Sequence, residues 1–250
     1  SELLKLTFAI YLASWLEKKK YDMKNLYTAF VPFVIMISVV AVFLVMQPDI
    51  GTLFVVIATS VALYFVGGGK ISQIFGVACI GLISLALLVQ IAPYRLNRFL
   101  VFLHPELDPK GIGYQINQAF IAIGSGGFSG LGFGKSIQKY NYLPEPTGDS
   151  VFAIVTEETG FVGAAFLIFL FLIFFWRGMY IARRAPDRFG TLLAAGVVSG
   201  ITAQAFINMA AISGLLPLTG IPLPFISYGG TSLVITLASI GAVLNVSKHH

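Results

Sequence analysis

Apolar residues run along this chain in long blocks, separated by short polar segments or by stretches rich in glycine and proline. A helix crossing the hydrocarbon core needs about 20 mostly apolar residues, with a lower limit near 17, because each residue advances it only about 1.5 Å. Seven blocks approach that length, at about 2–16, 28–47, 50–66, 71–92, 151–176, 190–213 and 229–247. The pattern predicts an all-α, polytopic transmembrane bundle of about seven spans, a single membrane domain over residues 1–250. Two connections stand out between them, a large loop at 93–150 and a second at 214–228. The first is too long for a structureless link. Within it Ile116, Ala119, Phe120 and Ile123 recur at helical spacing beside Gln115, Asn117 and Gln118, which predicts a short amphipathic helix over 113–123 lying at the membrane interface.

Composition agrees with this reading and removes the soluble alternative. Hydrophobic residues make up 57% and charged residues 11% of the chain, whereas a soluble domain carries roughly a quarter charged residues. The net charge of +5 raises the question of nucleic acid until the basic residues are placed. Lys18, Lys19, Lys20 and Lys24 lie between the first two spans, and Arg177, Arg183, Arg184 and Arg188 between the fifth and sixth. Short basic loops stay cytoplasmic. Alternating from there puts Lys70, Lys248 and the C-terminus inside, and it puts the Gln47-Pro48-Asp49 turn, 93–150 and 214–228 outside. The basic surplus is therefore a topology signal, with membrane lipids and not nucleic acid as its partner. The lone Cys79 reads as inert packing, and no Cys/His spacing supports a zinc site. A start at Ser1 without methionine and a His249-His250 end lead us to expect a processed or tagged chain.

The outer segments hold the candidate chemistry. The run Gly124 to Ser136 resembles a phosphate loop but fails on spacing, since Ser129 stands five before Gly134 and no strand precedes it. Its glycines instead permit turns and close backbone approach. Arg95, Arg98, Lys110, Lys135 and Lys139 either meet lipid headgroups or grip a lipid pyrophosphate. Tyr142 through Ser150 is stiffened by Pro144 and Pro146 and carries two carboxylates, Glu145 and Asp149, at the membrane surface. Asp149 either caps the following helix or does chemistry. Glu157 and Glu158 fall inside a span, where a charge must pair or face a wet cavity. Asp49 is placed to cap the helix that begins at Ile50, with a polar cavity as the other reading. Prolines 217, 222 and 224 and glycines 214, 220, 229 and 230 forbid a regular helix there, so Ser227 and Tyr228 either touch substrate or satisfy that loop.

Four blocks in order resemble the SEDS family represented by FtsW and RodA: Ser1 to Leu6, Gln47 to Thr52, Tyr142 to Glu158, and Gly214 to Gly230. Lys139 to Pro146 leans toward FtsW, while Thr159 departs from the leucine that usually follows the paired glutamates. Family members have about ten spans, and the first block opens the fourth, so the resemblance implies a chain lacking the first three. It further implies a peptidoglycan glycosyltransferase of the bacterial cytoplasmic membrane, serving division or elongation, with its active site on the extracytoplasmic face. Such an enzyme polymerises lipid II into β-1,4 glycan, releases undecaprenyl pyrophosphate, and partners a class B penicillin-binding protein. Asp149 matches the family's essential loop aspartate. No cofactor is indicated; a divalent cation would assist the leaving pyrophosphate, although no carboxylate cluster marks a metal site. A flippase for the same precursor, or a noncatalytic divisome scaffold, are the competing classes.

Overall fold

The computed structural model describes residues 1–19, 23, 25–91, 93–140 and 142–248, with the side chains of 82, 83, 85–91 and 93–96 set aside. A helix occupies each of the seven apolar blocks: α1 Glu2–Lys18, α2 Val31–Met46, α3 Ile50–Val66, α4 Ile71–Ile91, and, after the large loop, α7 Val151–Arg184, α8 Arg188–Ile212 and α9 Gly230–Lys248. The loop itself contributes α5 Pro93–Leu103 and α6 Ile112–Gly126. No strand occurs among the described residues. Four helical stretches, Leu26–Met46, α7, α8 and α9, are long and apolar enough to cross a membrane, and α3 is apolar but only 17 residues long. The chain is an integral membrane protein.

Helix boundaries follow local chemistry. Asp49 accepts a hydrogen bond from the Thr52 amide at 3.0 Å and so caps α3. Leu26–Phe30 forms one turn of π-helix, opened by the Asn25 side chain, and runs into α2 with Pro32 in its first turn, where a missing N–H costs nothing.

The described chain groups into two compact units. One comprises residues 1–84, 173–203 and 231–250, the other 85–172 and 204–230. In the first, Tyr64 is fully buried, stacks on Phe33 at 4.3 Å between ring centroids, and donates from its hydroxyl to Gln73 at 3.1 Å. Glycines let α3 and α8 approach closely: a Cβ on Gly196 would lie 2.9 Å from Leu63, and one on Gly200 would lie 2.8 Å from the Thr59 hydroxyl. Small residues at such crossings are how helices associate in lipid, where apolar burial alone gives no drive.

In the second unit Ala119, Ala122, Leu143, Phe152, Ala153, Ala205, Ile212 and Leu223 form the core. The buried stripe of α6 is Gly113, Ile116, Ala119, Ala122 and Gly126, while Phe120, on the apolar face expected at the membrane interface, is exposed. A departure from the expected pattern is in α7. An unbroken span is expected there, yet Gly160 takes φ 68° and ψ −167° and breaks the helix. Four hydrogen bonds repair the break. The Phe161 and Val162 amides, which a regular helix would pair with the carbonyls of Glu157 and Glu158, donate instead to Gly127 and Phe128 at 2.9 and 3.2 Å. The Glu157 and Glu158 carbonyls accept from Leu131 and Gly132 at 3.0 Å each. The glycine run thus threads into the gap, and only glycine fits: a Cβ on Gly130, at φ 80°, would lie 2.1 Å from the Glu158 carbonyl oxygen.

Candidate active site

Asp149 sits at the junction of the large loop and α7, and its main chain is held from three directions within the second unit. The Tyr228 amide donates to the Thr147 carbonyl at 2.7 Å, the Ser227 hydroxyl to that of Gly148 at 2.6 Å, and the Asn208 side-chain amide to that of Asp149 at 2.7 Å. Asn208 also donates to Ile221 at 2.8 Å, and Gln204, one turn earlier on α8, to Pro222 at 2.9 Å. Two polar side chains on one helix face therefore satisfy the Ile221 and Pro222 carbonyls of the irregular 214–228 segment, and Asn208, Ser227 and Tyr228 together fix the aspartate loop. Glu145 adds a tight turn. It stands at φ 47°, and its carbonyl accepts from the Gly148 and Ser150 amides at 3.0 and 3.3 Å. A side-chain-bearing residue in that region, followed by proline, carries strain, and strain persists where the surroundings over-determine it.

The carboxylate of Asp149 is half-buried and caps no helix among the described residues. Its Oδ1 accepts from the Gln115 side-chain amide of α6 at 3.3 Å and from the Ser150 hydroxyl at 3.2 Å, and Gln115 also donates to Ser150 at 3.0 Å. Oδ2 has no hydrogen-bond partner among the described residues, which leaves a fixed lone pair open to a proton donor. Burial pushes the Asp149 carboxyl above the ordinary aspartate value, the Ser150 and Gln115 donors pull against that, and the charge of Glu145 adds to the rise.

The paired glutamates serve the loop from within. The Glu157 carboxylate accepts from the Ser136 hydroxyl and from the Ile137 and Gln138 amides, the latter two at 3.0 and 3.4 Å. Glu158 accepts from the Gly134 and Ser136 amides at 2.9 and 3.2 Å and from the Lys139 ammonium at 2.8 Å. Lys139 donates in addition to the Gly134 carbonyl at 2.7 Å, and its bond to Glu158 raises its own pKa. Glu158 and Lys139 are therefore spent on each other and on the loop backbone.

Lys135 is exposed and Arg98 half-buried on α5, while the Arg95 side chain lies outside the described residues. The Tyr228 ring is 87% exposed, so its amide is the group already in use. Asp49 belongs to the first unit, where its carboxylate is the α3 cap. Among the described residues no three His, Cys, Asp or Glu side chains converge. Sequence reasoning missed Gln115, Asn208 and Gln204. Gln115 was visible only as one of three amides on a helix, and the other two only as polar residues four apart in an apolar span.

Fold and site define a polytopic helical membrane protein whose one candidate reacting carboxylate rests on two interlocked loops and a broken helix. The profile of the FtsW, RodA and SpoVE family, described as cell cycle proteins, matches residues 1–250, and the chain belongs to that family. It is 42% identical over 249 residues to the stage V sporulation protein E of Bacillus subtilis, covering 100% of this chain and 68% of that one. It is also 42% identical over 249 residues to the probable peptidoglycan glycosyltransferase FtsW of Idiomarina loihiensis, covering 98% and 61%. The chain spans about two thirds of the length of these relatives. Among solved structures it resembles a chain of a peptidoglycan synthase complex that coordinates polymerization and crosslinking, with TM-score 0.77 and 30% identity over 99% of this chain and 69% of that one. The rod shape determining protein RodA of Thermus thermophilus gives TM-score 0.67 and 27% identity, covering 99% and 64%.

Proposed function

We propose that this chain carries the catalytic centre of a peptidoglycan glycosyltransferase acting on lipid II, with Asp149 as general base on the extracytoplasmic face. The observation that carries the proposal is the state of that carboxylate: main chain clamped at three successive carbonyls, Oδ1 oriented by Gln115 and Ser150, Oδ2 open, and affinity for a proton raised by burial. A base that is fixed, partly desolvated and accessible is what proton abstraction from a sugar hydroxyl requires.

In this reading Oδ2 takes the proton of the acceptor's 4-hydroxyl as that oxygen attacks the donor's anomeric carbon. The bond from that carbon to the pyrophosphate breaks on the opposite face, so the α linkage becomes β. The proton leaves on Asp149 and passes to solvent. General-base help contributes about 10² to 10⁴ in rate, and holding two membrane-anchored sugars in line adds to it. The departing pyrophosphate needs cations, and exposed Lys135 is better suited than Lys139, whose charge Glu158 already uses. Arg98 and Arg95 complete the candidate set. In this reading the basic loops and the C-terminus are cytoplasmic, which the placement of their Lys and Arg residues favours. A class B penicillin-binding protein is the fitting partner, since a related structure is of a complex coordinating polymerization with crosslinking.

The test is polymerisation of labelled lipid II by the full-length protein with its partner in proteoliposomes. Glycan strands dependent on this protein are the expected result. Translocation of lipid II across the bilayer with no polymer would replace the proposal by a flippase.

A further inference from the structure

The glycine run leaves a property that the reaction does not use. Its large apolar side chains are exposed: Phe133 is 93% and Phe128 73% exposed, with Leu131 and Ile137 exposed beside them. Phe128 stacks against Phe161 of α7 at 6.1 Å, and Phe161, Val162 and Phe166 continue an exposed apolar face down that helix. An apolar loop in water would leave its backbone amides to solvent. This one does not. From Gly130 to Lys139 every backbone N–H except that of Phe133 donates to a protein acceptor. Gly130 donates to Gly126, Leu131 and Gly132 to the freed carbonyls of the broken helix, and Lys135 to Gly132. Gly134 and Ser136 donate to the Glu158 carboxylate, Ile137 and Gln138 to that of Glu157, and Lys139 to the Ser136 hydroxyl.

Irregular backbone at membrane depth is tolerated only where its polar groups are satisfied within the protein. Two carboxylates inside a span are likewise tolerated only with dedicated partners. One device serves both conditions: the carbonyls and carboxylates of Glu157 and Glu158 accept six of the nine bonded amides between Gly130 and Lys139. We infer that residues 127–137 form a re-entrant loop embedded in the bilayer leaflet beside the Asp149 loop, with Phe128, Leu131, Phe133 and Ile137 in contact with phospholipid acyl chains and Lys135 reaching back to the headgroups. The occupant is lipid and not a protein. A non-obligate protein interface is about as polar as the rest of a surface and forms hydrogen bonds across it, whereas the outward face of this loop offers little beyond the Phe133 amide, Ser129 and Lys135. Its neighbour on α7 is itself a lipid-length apolar helix.

The inference is independent of catalysis and is tested without an activity assay. Phe133→Cys and Phe128→Cys, each in a Cys79→Ser background, are labelled with an environment-sensitive fluorophore and reconstituted in phosphatidylcholine and phosphatidylglycerol vesicles. Lys110→Cys, on an exposed turn, serves as the aqueous control. Embedding predicts a blue-shifted emission for both phenylalanine positions and a loss of emission to acyl-chain nitroxide lipids but not to aqueous iodide, with the reverse at position 110. Quenching by iodide and not by nitroxide lipid would overturn the inference, as would resistance to both quenchers, which would mean that protein covers the loop. Ile137→Cys gives a second reading if the Phe133 variant fails to fold.

Discussion

As the proposed general base, Asp149 meets two opposed demands, one for a group that holds its proton weakly enough to cycle and one for a site dry enough to order a sugar. Burial raises its pKa, and ionised Asp149 therefore costs the fold stability that the neutral form does not. The sign follows. The native protein loses stability as pH rises through the raised pKa, while Asp149→Asn does not. The variant should melt at or above the wild-type temperature at neutral pH, with the gap closing below the ordinary aspartate value of about 3.9; thermal unfolding in detergent at several pH values checks this. In the proposed mechanism activity needs the ionised form, so its acid limb should lie above that of an ordinary aspartate. Gln115 offers a direct handle on that limb. Gln115→Glu replaces a donor to Oδ1 by a like charge and should shift the limb to higher pH, whereas Gln115→Ala should lower kcat with little change in KM, both read from pH-dependent polymerisation rates. None of this was legible in the sequence. Asp149 stood out as a carboxylate at the head of a span, but cap and base look alike there, and only its bonds to Gln115 and Ser150 show that the carboxylate is not spent on a cap.

At the scale of elements, the helices were legible because lipid leaves few alternatives: each apolar block of sufficient length carries a helix. The break at Gly160 was hidden, since glycine is ordinary in such spans. The partners of Glu157 and Glu158 were hidden for a different reason. They are mostly main-chain amides of the loop that fills the break, and no side-chain pattern displays them. The same accounting explains why Lys135 and Lys139, equivalent in sequence, differ in availability. Gly130 should be the least replaceable residue of this element. Gly130→Ala combines a left-handed φ, a strain of about 1–3 kcal/mol, with a Cβ 2.1 Å from a carbonyl oxygen that cannot retreat without opening the helix repair. Its yield of folded protein should fall severalfold by fluorescence-detected size exclusion, while Gly124→Ala, where a Cβ meets nothing within 4 Å, should be neutral.

For the molecule as a whole, family membership rests on agreement along the full chain, and the site gives that membership a chemical content through one aspartate on interlocked loops. The charge asymmetry read from the sequence makes a separate prediction about sidedness. In a Cys79→Ser background, a membrane-impermeant maleimide should label Lys110→Cys, on an exposed turn of the large loop, on intact cells whose outer layers have been opened, and should label Lys18→Cys only after the cytoplasmic membrane is broken. The most direct test of the central claim is the rate of lipid II polymerisation by Asp149→Asn beside wild type, with lipid II binding measured on the same proteoliposomes. A loss of about 10²-fold or more in rate with binding retained is the expected result. Polymerisation within a few-fold of wild type would contradict it.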